Sequence, residues 1–210
     1  QSSLGNPKVS NLNSLQSPSP TGLFFGSFNP IHAGHLMIAS YMVEFTDLRQ
    51  VWFVVSPHNP LKDKTTLLAG HHRLYMVNLA TEDDERFQSS NIEFGLPMPS
   101  YTIDTLTYLS EKYPKREFVL IAGSDNLATL PKWKNYEALL DQYRVYIYPR
   151  PEAQPGPVDS HPSITRVDAP LITLSSSFIR HSIKEGKEMR YFLPEKVSNY
   201  IKEMNFYKGG

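Results

Sequence analysis

Two histidines, His32 and His35, close a stretch that begins like a strand and runs through small residues: "GLFFGSFNPIHAGHL", from Gly22 to Leu36. Such a pair at the mouth of a helical segment allows three kinds of chemistry. It could bind a metal, donate to an anion, or merely hydrogen-bond a tight turn. Zinc as a rule takes a third protein ligand, yet the chain has no cysteine, and Glu44 lies more than two helical turns downstream. No metal ligands are therefore assigned. The anion reading brings more parts into agreement. Gly26 lets the backbone turn where a side chain would block a ligand. Gly34 opens a helix whose N–H groups and dipole favour negative charge, and imidazole N–H groups suit phosphate oxygens. For an isolated H-x-x-H, the plain turn remains the simpler account.

Elements that could position this chemistry follow from periodicity. "GLFF", "VWFVVS" (Val51–Ser56), "EFVLIAG" (Glu117–Gly123) and "RVYIYPR" are apolar runs of strand length, as buried parallel strands should be. "FQSSNIEF" is a more polar strand, and "SITRVDAPLITL" offers a last short one. Helical segments alternate with them: "HLMIASYMVEF", "HHRLYMVNLATE", "YTIDTLTYLSEKY", "YEALLDQY", "SSFIRHSIKEG" and "PEKVSNYIKEM". Strand and helix in this alternation predict an α/β fold, a Rossmann-like, doubly wound parallel sheet with helices on both faces. Right-handed crossovers put every strand-to-helix loop on one rim, where ligands of such folds bind. The histidine turn, the loop after Ser56, the "AGSD" turn and the Ser175-Ser176-Ser177 turn should share that rim.

The totals bound the partners. Twenty-one basic residues balance twenty-one acidic ones, so nothing in the bulk charge draws the chain to nucleic acid or an anionic membrane. Any bound anion must be held locally. Hydrophobic residues make up 40% of the 210, a globular composition, and the absence of cysteine excludes disulfides and thiolate metal sites. No apolar run reaches membrane-spanning length, and the start lacks a signal-peptide core. A cytoplasmic location is expected, with homo-oligomerisation left open. Residues 1–20, rich in Ser, Asn and Pro, read as an unstructured extension of native or artificial origin, and 21–208 as one domain.

"GSFNPIHAGH" resembles the H-x-G-H signature of the nucleotidyltransferase superfamily. "SPHNPLKDK", "HHRLYMVNLA", "PSYTIDTLTYL", "IAGSDNLATLPKW", "YIYPRP", "LSSSFIR" and "YFLPEKVSNYI" resemble, in order, the motifs of the bacterial nicotinate mononucleotide adenylyltransferases, so the likeness spans Gly22 to Tyr207. There are departures. The family turn G-G-T-F-D-P stands here as Phe25 to Pro30, with Ser27 for Thr and Asn29 for Asp, and P-P-H-K stands as Asn59-Pro60-Leu61-Lys62, which loses the His.

The resemblance implies transfer of AMP from ATP to nicotinate mononucleotide, releasing pyrophosphate in NAD biosynthesis. The attacking phosphate, with a second pKa of about 6, is already ionised, so the enzyme needs to position and neutralise charge rather than supply a base. It further implies that His32, His35 and Arg180 are catalytic, with His35 nearest the α-phosphate. ATP would also meet Gly26, Ser27, Phe28, Gly123, Asp125, Ser176 and Ser177, and Mg²⁺ would bind mainly through ATP oxygens. Lys62, Arg73, Tyr101, Thr102 and Trp133 would serve the mononucleotide, with backbone N–H groups around Thr102 and near Trp133 facing the pyridine substituent. Two rivals stay open: an adenylyltransferase for another acceptor, and a nucleotide-binding regulator without turnover.

Overall fold

The computed structural model describes residues 20–57 and 66–209. Residues 1–19 of the expected extension, and Lys62 in the loop after the second strand, lie outside them. The strands are β1 (Pro20–Gly26), β2 (Gln50–Val55), β3 (Phe87–Ser90), β4 (Glu117–Gly123), β5 (Arg144–Tyr148) and β6 (Ile164–Arg166). They alternate with helices α1 (Ala33–Phe45), α2 (Gly70–Thr81), α3 (Thr102–Lys112), α4 (Tyr136–Gln142), α5 (Ser176–Lys184) and α6 (Glu195–Glu203). All strand pairs are parallel, and their order is β3-β2-β1-β4-β5-β6. That order reverses direction between β1 and β4, the position where such sheets open a crevice at the carboxyl ends of their strands.

Alternation along each strand splits the core into two layers. On β2, Val51, Phe53 and Val55 face a cluster built with Ile38 and Met42 of α1, Met76 of α2, Ile179 of α5 and Val197 of α6. Trp52 and Val54 face the other side, with Ile103 and Leu106 of α3 and Leu139 of α4. Two expected strands cover only part of their segments. "FQSSNIEF" leaves the sheet after Ser90 and becomes a 3₁₀ turn over Ile92–Gly95 that carries a buried Glu93. "SITRVDAPLITL" is a strand only over Ile164–Arg166, after which Ala169 is buried and Val167, Ile172 and Leu174 pack on the main core on the way to α5.

Arg73 corrects an expectation. A role against the mononucleotide requires an open guanidinium, yet Arg73 is fully buried on α2. Its Nε donates to the Leu68 carbonyl at 2.8 Å, and Nη1 donates to the carbonyls of Ser27 at 2.7 Å and Ser56 at 2.6 Å. Nη2 donates to the Pro57 carbonyl. The side chain thus binds the turn after β1, the end of β2 and the approach to α2 into one unit. Burial lowers its pKa. Replacing Arg73 with Leu leaves four carbonyls without their donor, and we expect a loss of at least about 3 kcal/mol in urea unfolding, read as a lower midpoint at unchanged slope. A parental midpoint would contradict the clamp.

Candidate active site at the carboxyl ends of β1, β4 and β5

His32 is the N-cap of α1 and folds its ring back over the first turn. Its Nδ1 accepts the Gly34 N–H at 3.1 Å, while His35 Nδ1 accepts the His32 N–H at 3.1 Å. The rings stack with centroids 3.8 Å apart and planes 27° from parallel. With each Nδ1 used as an acceptor, each neutral ring carries its proton on Nε2. Both rings are held neutral. Burial, assisted by the Arg150 charge, lowers His32 from 6.5 to about 4. Burial, then the charges of His32 and Arg150, push His35 down as well. The pair therefore offers Nε2–H donors and no acceptor at neutral pH.

This geometry revises the reason for Gly34. Its N–H is not free for an anion, because His32 has taken it, and the His35 N–H donates to the His32 carbonyl. A Cβ on Gly34 would lie 2.9 Å from His32 Cε1 and 2.8 Å from Ile172 Cγ2, so glycine makes room for the cap. Phe28 is likewise recast. Expected against ATP, its ring is buried beneath His35, edge-on at 5.0 Å, and packs on Phe24 and Phe53. It still lines the larger cavity, from a left-handed φ of 47°.

Two joined cavities meet at His35 and Ser176. The larger, about 450 Å³, is lined by Gly26, Ser27, Phe28, Asn29, His35, Thr66, Leu67, Ser176, Ser177 and Arg180. The smaller, about 200 Å³, brings His32 and Asp125 together with Tyr148, Arg150 and Ile172. Ser175 caps α5 by accepting the Phe178 N–H at 3.2 Å, and the following first-turn N–H groups of Ser176 and Ser177 have no acceptor within the helix. Ser176 Oγ donates to the Pro30 carbonyl at 2.8 Å, which ties α5 to the histidine turn. Arg180 donates to the Asn29 carbonyl at 2.8 Å and to Ser177 Oγ at 3.3 Å. Asp125 is not a helix cap: it stands exposed in a 3₁₀ turn with no capping bond. It is the one carboxylate among the described residues lining the two cavities. At Gly123 a Cβ would lie 2.5 Å from Asp125 Oδ1 and 2.7 Å from Arg150 Cγ, so the strand must end on glycine for these side chains to pass.

Arg150 and Tyr148 are functional candidates that the sequence reading missed. Their signal was positional: "YPR" closes β5 on the same rim. Arg150 is braced by its N–H to Ser124 Oγ at 2.8 Å and by Nη1 to the Ile172 carbonyl at 3.4 Å. Burial pushes the Tyr148 hydroxyl up to about 12, so it stays protonated.

Flanked by Arg150 on one side and Arg180 on the other, two neutral donors floor a cleft shaped for a polyanion. A family model described as cytidylyltransferase-like matches residues 23–182. A Flavobacterium johnsoniae protein named "Probable nicotinate-nucleotide adenylyltransferase" is 57% identical over 189 residues, covering 89% of this chain and 98% of that one. The chain belongs to this family. A second relative of the same name, from Christiangramia forsetii, is 53% identical over 191 residues, covering 89% and 97%. The solved nicotinic acid mononucleotide adenylyltransferase of Plasmodium falciparum, complexed with NaAD, shares the fold with a TM-score of 0.75 at 20% identity, covering 90% of this chain and 97% of that one.

As a nucleotidyltransferase, the chain must also hold an acceptor. Tyr101, Thr102 and Trp133 lie outside both cavities and gather on the other layer of the core. Ile103 and Trp133 pack there on the cluster that Phe25 joins. Lys134 Nζ sits 4.8 Å over the exposed Tyr101 ring and 2.9 Å from Asp104 of α3. The Trp133 N–H is already used, donating to the Leu130 carbonyl at 3.0 Å. In the first turn of α3 the N–H groups of Thr102 and Ile103 have no acceptor within the helix.

Neutral buried histidines have a stability signature. Between pH 6.5 and about 4 the unfolded chain binds a proton at His32 that the folded chain does not. Stability is full above the unfolded value and declines as pH falls towards the folded one, His35 acting in the same sense. Asn can still cap α1. His32→Asn should therefore lose roughly 1–2 kcal/mol less than the parent between pH 7.5 and 5.0 in urea unfolding. Parallel pH curves for the two proteins would contradict neutral burial.

Proposed function

We propose that this enzyme transfers AMP from ATP to nicotinate mononucleotide, giving nicotinate adenine dinucleotide and pyrophosphate, with the triphosphate lying along the His35–Arg180 cleft. The observation that carries the reading is the pair of Nε2–H donors set between two arginines and beside the α5 N-terminus. His35, at the junction of the two cavities, faces the α-phosphate, and His32 supports it. Arg180, Ser176 and Ser177 hold the outgoing phosphates, while Asp125 and Arg150 border the nucleoside side.

The attacking phosphate is already anionic, so no residue needs to take its proton. What the site supplies is in-line placement and donors preorganised for charge that develops on the phosphoryl oxygens. Neutral imidazoles do this without proton exchange, and the guanidiniums offset the triphosphate charge. Mg²⁺ would be carried mainly on ATP oxygens and water, and the one carboxylate among the described residues lining the two cavities is Asp125. Among the described residues no group of three His, Cys, Asp or Glu side chains is placed to hold a metal ion. When bound it would neutralise part of the triphosphate charge. No described helix is long and apolar enough to cross a membrane, and a cytoplasmic enzyme on freely diffusing nucleotides accords with that.

The acceptor decides between this reading and its rivals. A nicotinate carboxylate only accepts hydrogen bonds, whereas nicotinamide presents an N–H₂. Facing the α3 first-turn N–H groups, the amide leaves at least one buried donor unpaired, at about 1–3 kcal/mol, so the acid should be favoured roughly ten- to a hundredfold in kcat/KM. Pyrophosphate release with ATP and a panel of nicotinate mononucleotide, nicotinamide mononucleotide and phosphopantetheine tests this. Preference for the amide or for phosphopantetheine would overturn the acceptor assignment, and no release with any of them would favour a binding protein without turnover.

A further inference from the structure

The C-terminal segment reaches the cleft although no motif announces it. After α6 the chain takes left-handed backbone at Asn205 (φ 54°) and again at Tyr207 (φ 63°). A bulky aromatic residue rarely adopts that region and keeps it only where surrounding contacts over-determine it. Here they do. The Tyr207 ring packs on the main core, and its hydroxyl donates to Asn29 Oδ1 at 2.7 Å across 178 positions of sequence. Burial holds that hydroxyl protonated, far above its usual pKa, although Arg180 and Arg73 both lie close enough to pull the other way.

Asn29 is the hub of this contact. Its Oδ1 also accepts the Leu68 N–H at 3.3 Å, and its Nδ2 donates to the Thr66 carbonyl at 2.8 Å. Its own carbonyl accepts from Arg180. The residue is buried, and it lines the larger cavity together with Thr66, Leu67 and Arg180. An amide can donate on one side and accept twice on the other, whereas a carboxylate would set oxygen against the Thr66 carbonyl. The hydroxyl of Tyr207 completes the acceptor side and so fixes which way the amide faces. Asn29 in place of an acidic residue and the inward-turned C-terminus are two halves of one arrangement.

We infer that Tyr207 is a positioning residue of the phosphate cleft, acting through Asn29 to hold the Thr66–Leu68 wall and the carbonyl that orients Arg180. The inference rests on the reading that ATP phosphates occupy that cleft. It touches no reacting atom itself. Losing the hydroxyl leaves Asn29 free to shift, and with it the guanidinium's anchor, while the α3 region on the other core layer stays in place. The effect should therefore fall on ATP and spare the mononucleotide.

The test is steady-state pyrophosphate release by the parent, Arg180→Ala, Tyr207→Phe, Asn29→Ala and the Asn29→Ala/Tyr207→Phe double variant, varying ATP and nicotinate mononucleotide separately. Tyr207→Phe keeps the ring, and a melting curve for each variant verifies folding at the assay temperature. We expect Tyr207→Phe to lower kcat/KM for ATP roughly five- to tenfold, with KM for the mononucleotide within about twofold of the parent. In the Asn29→Ala background the same change should cost less than about twofold, because the pathway through Asn29 is already gone. Parental ATP kinetics in Tyr207→Phe alongside an impaired Arg180→Ala would overturn the positioning role alone. Additive effects in the double variant would do the same. Unchanged ATP kinetics in Arg180→Ala would instead remove the cleft reading on which the inference rests.

Discussion

The turn between β1 and α1 closes on itself through two reciprocal hydrogen bonds, His32 Nδ1 to the Gly34 N–H and His35 Nδ1 to the His32 N–H, and the rest of the site is arranged around keeping them. A protonated imidazole cannot accept, so the turn requires neutral rings. Burial provides this, and Arg150 strengthens it by making a second positive charge unfavourable. Room for the folded-back His32 ring comes from Gly34, and the floor beneath His35 comes from the Phe28 ring. The same pair of bonds that caps the helix leaves the proton of each neutral ring on Nε2, and both rings line the smaller cavity. Structure and chemistry here are one constraint.

That constraint explains a division of labour across the cleft. Permanent positive charge sits at the edges, on Arg150 and Arg180, each braced by main-chain carbonyls so that the guanidinium is directed before any ligand arrives. The centre holds donors without charge. In the proposed reaction a polyanion would be attracted by the edges and held by the centre, and no proton would have to move when charge develops at phosphorus. Arg73, an arginine of a different kind, lies below the site and uses its donors on the chain itself, joining the ends of β1 and β2 so that the turn has a fixed base.

The parallel sheet was legible because its strands are apolar runs of the right length bounded by Gly and Pro. β4 falls on Glu117–Gly123 as periodicity predicts, and β2 within one residue of its expected bounds. The histidine turn and the α5 start were legible as motifs, since their parts lie within a few residues of one another. What escaped was long-range. Arg73 sits in a helix whose pattern does not reveal that buried carbonyls nearby need a donor. Asn29 looked like a turn residue, and its partners lie at Thr66, Arg180 and Tyr207. Arg150 is unremarkable in "YPR" until the sheet order brings β5 beside β4, and Gly34 carried the right residue for a different reason than the dipole suggested. Local spacing predicts elements; only the packed sheet decides which distant side chains complete a site.

The tautomers of His32 and His35 test the account most directly. Long-range proton–nitrogen correlation spectra of the protein with ¹⁵N-labelled histidine, recorded near neutral pH and assigned with His32→Asn, distinguish protonated from acceptor ring nitrogens. Both residues are expected to carry their proton on Nε2, with Nδ1 in the acceptor range and no imidazolium. A proton on Nδ1 of either ring, or a charged ring at neutral pH, would contradict the reciprocal cap and the donor pair derived from it.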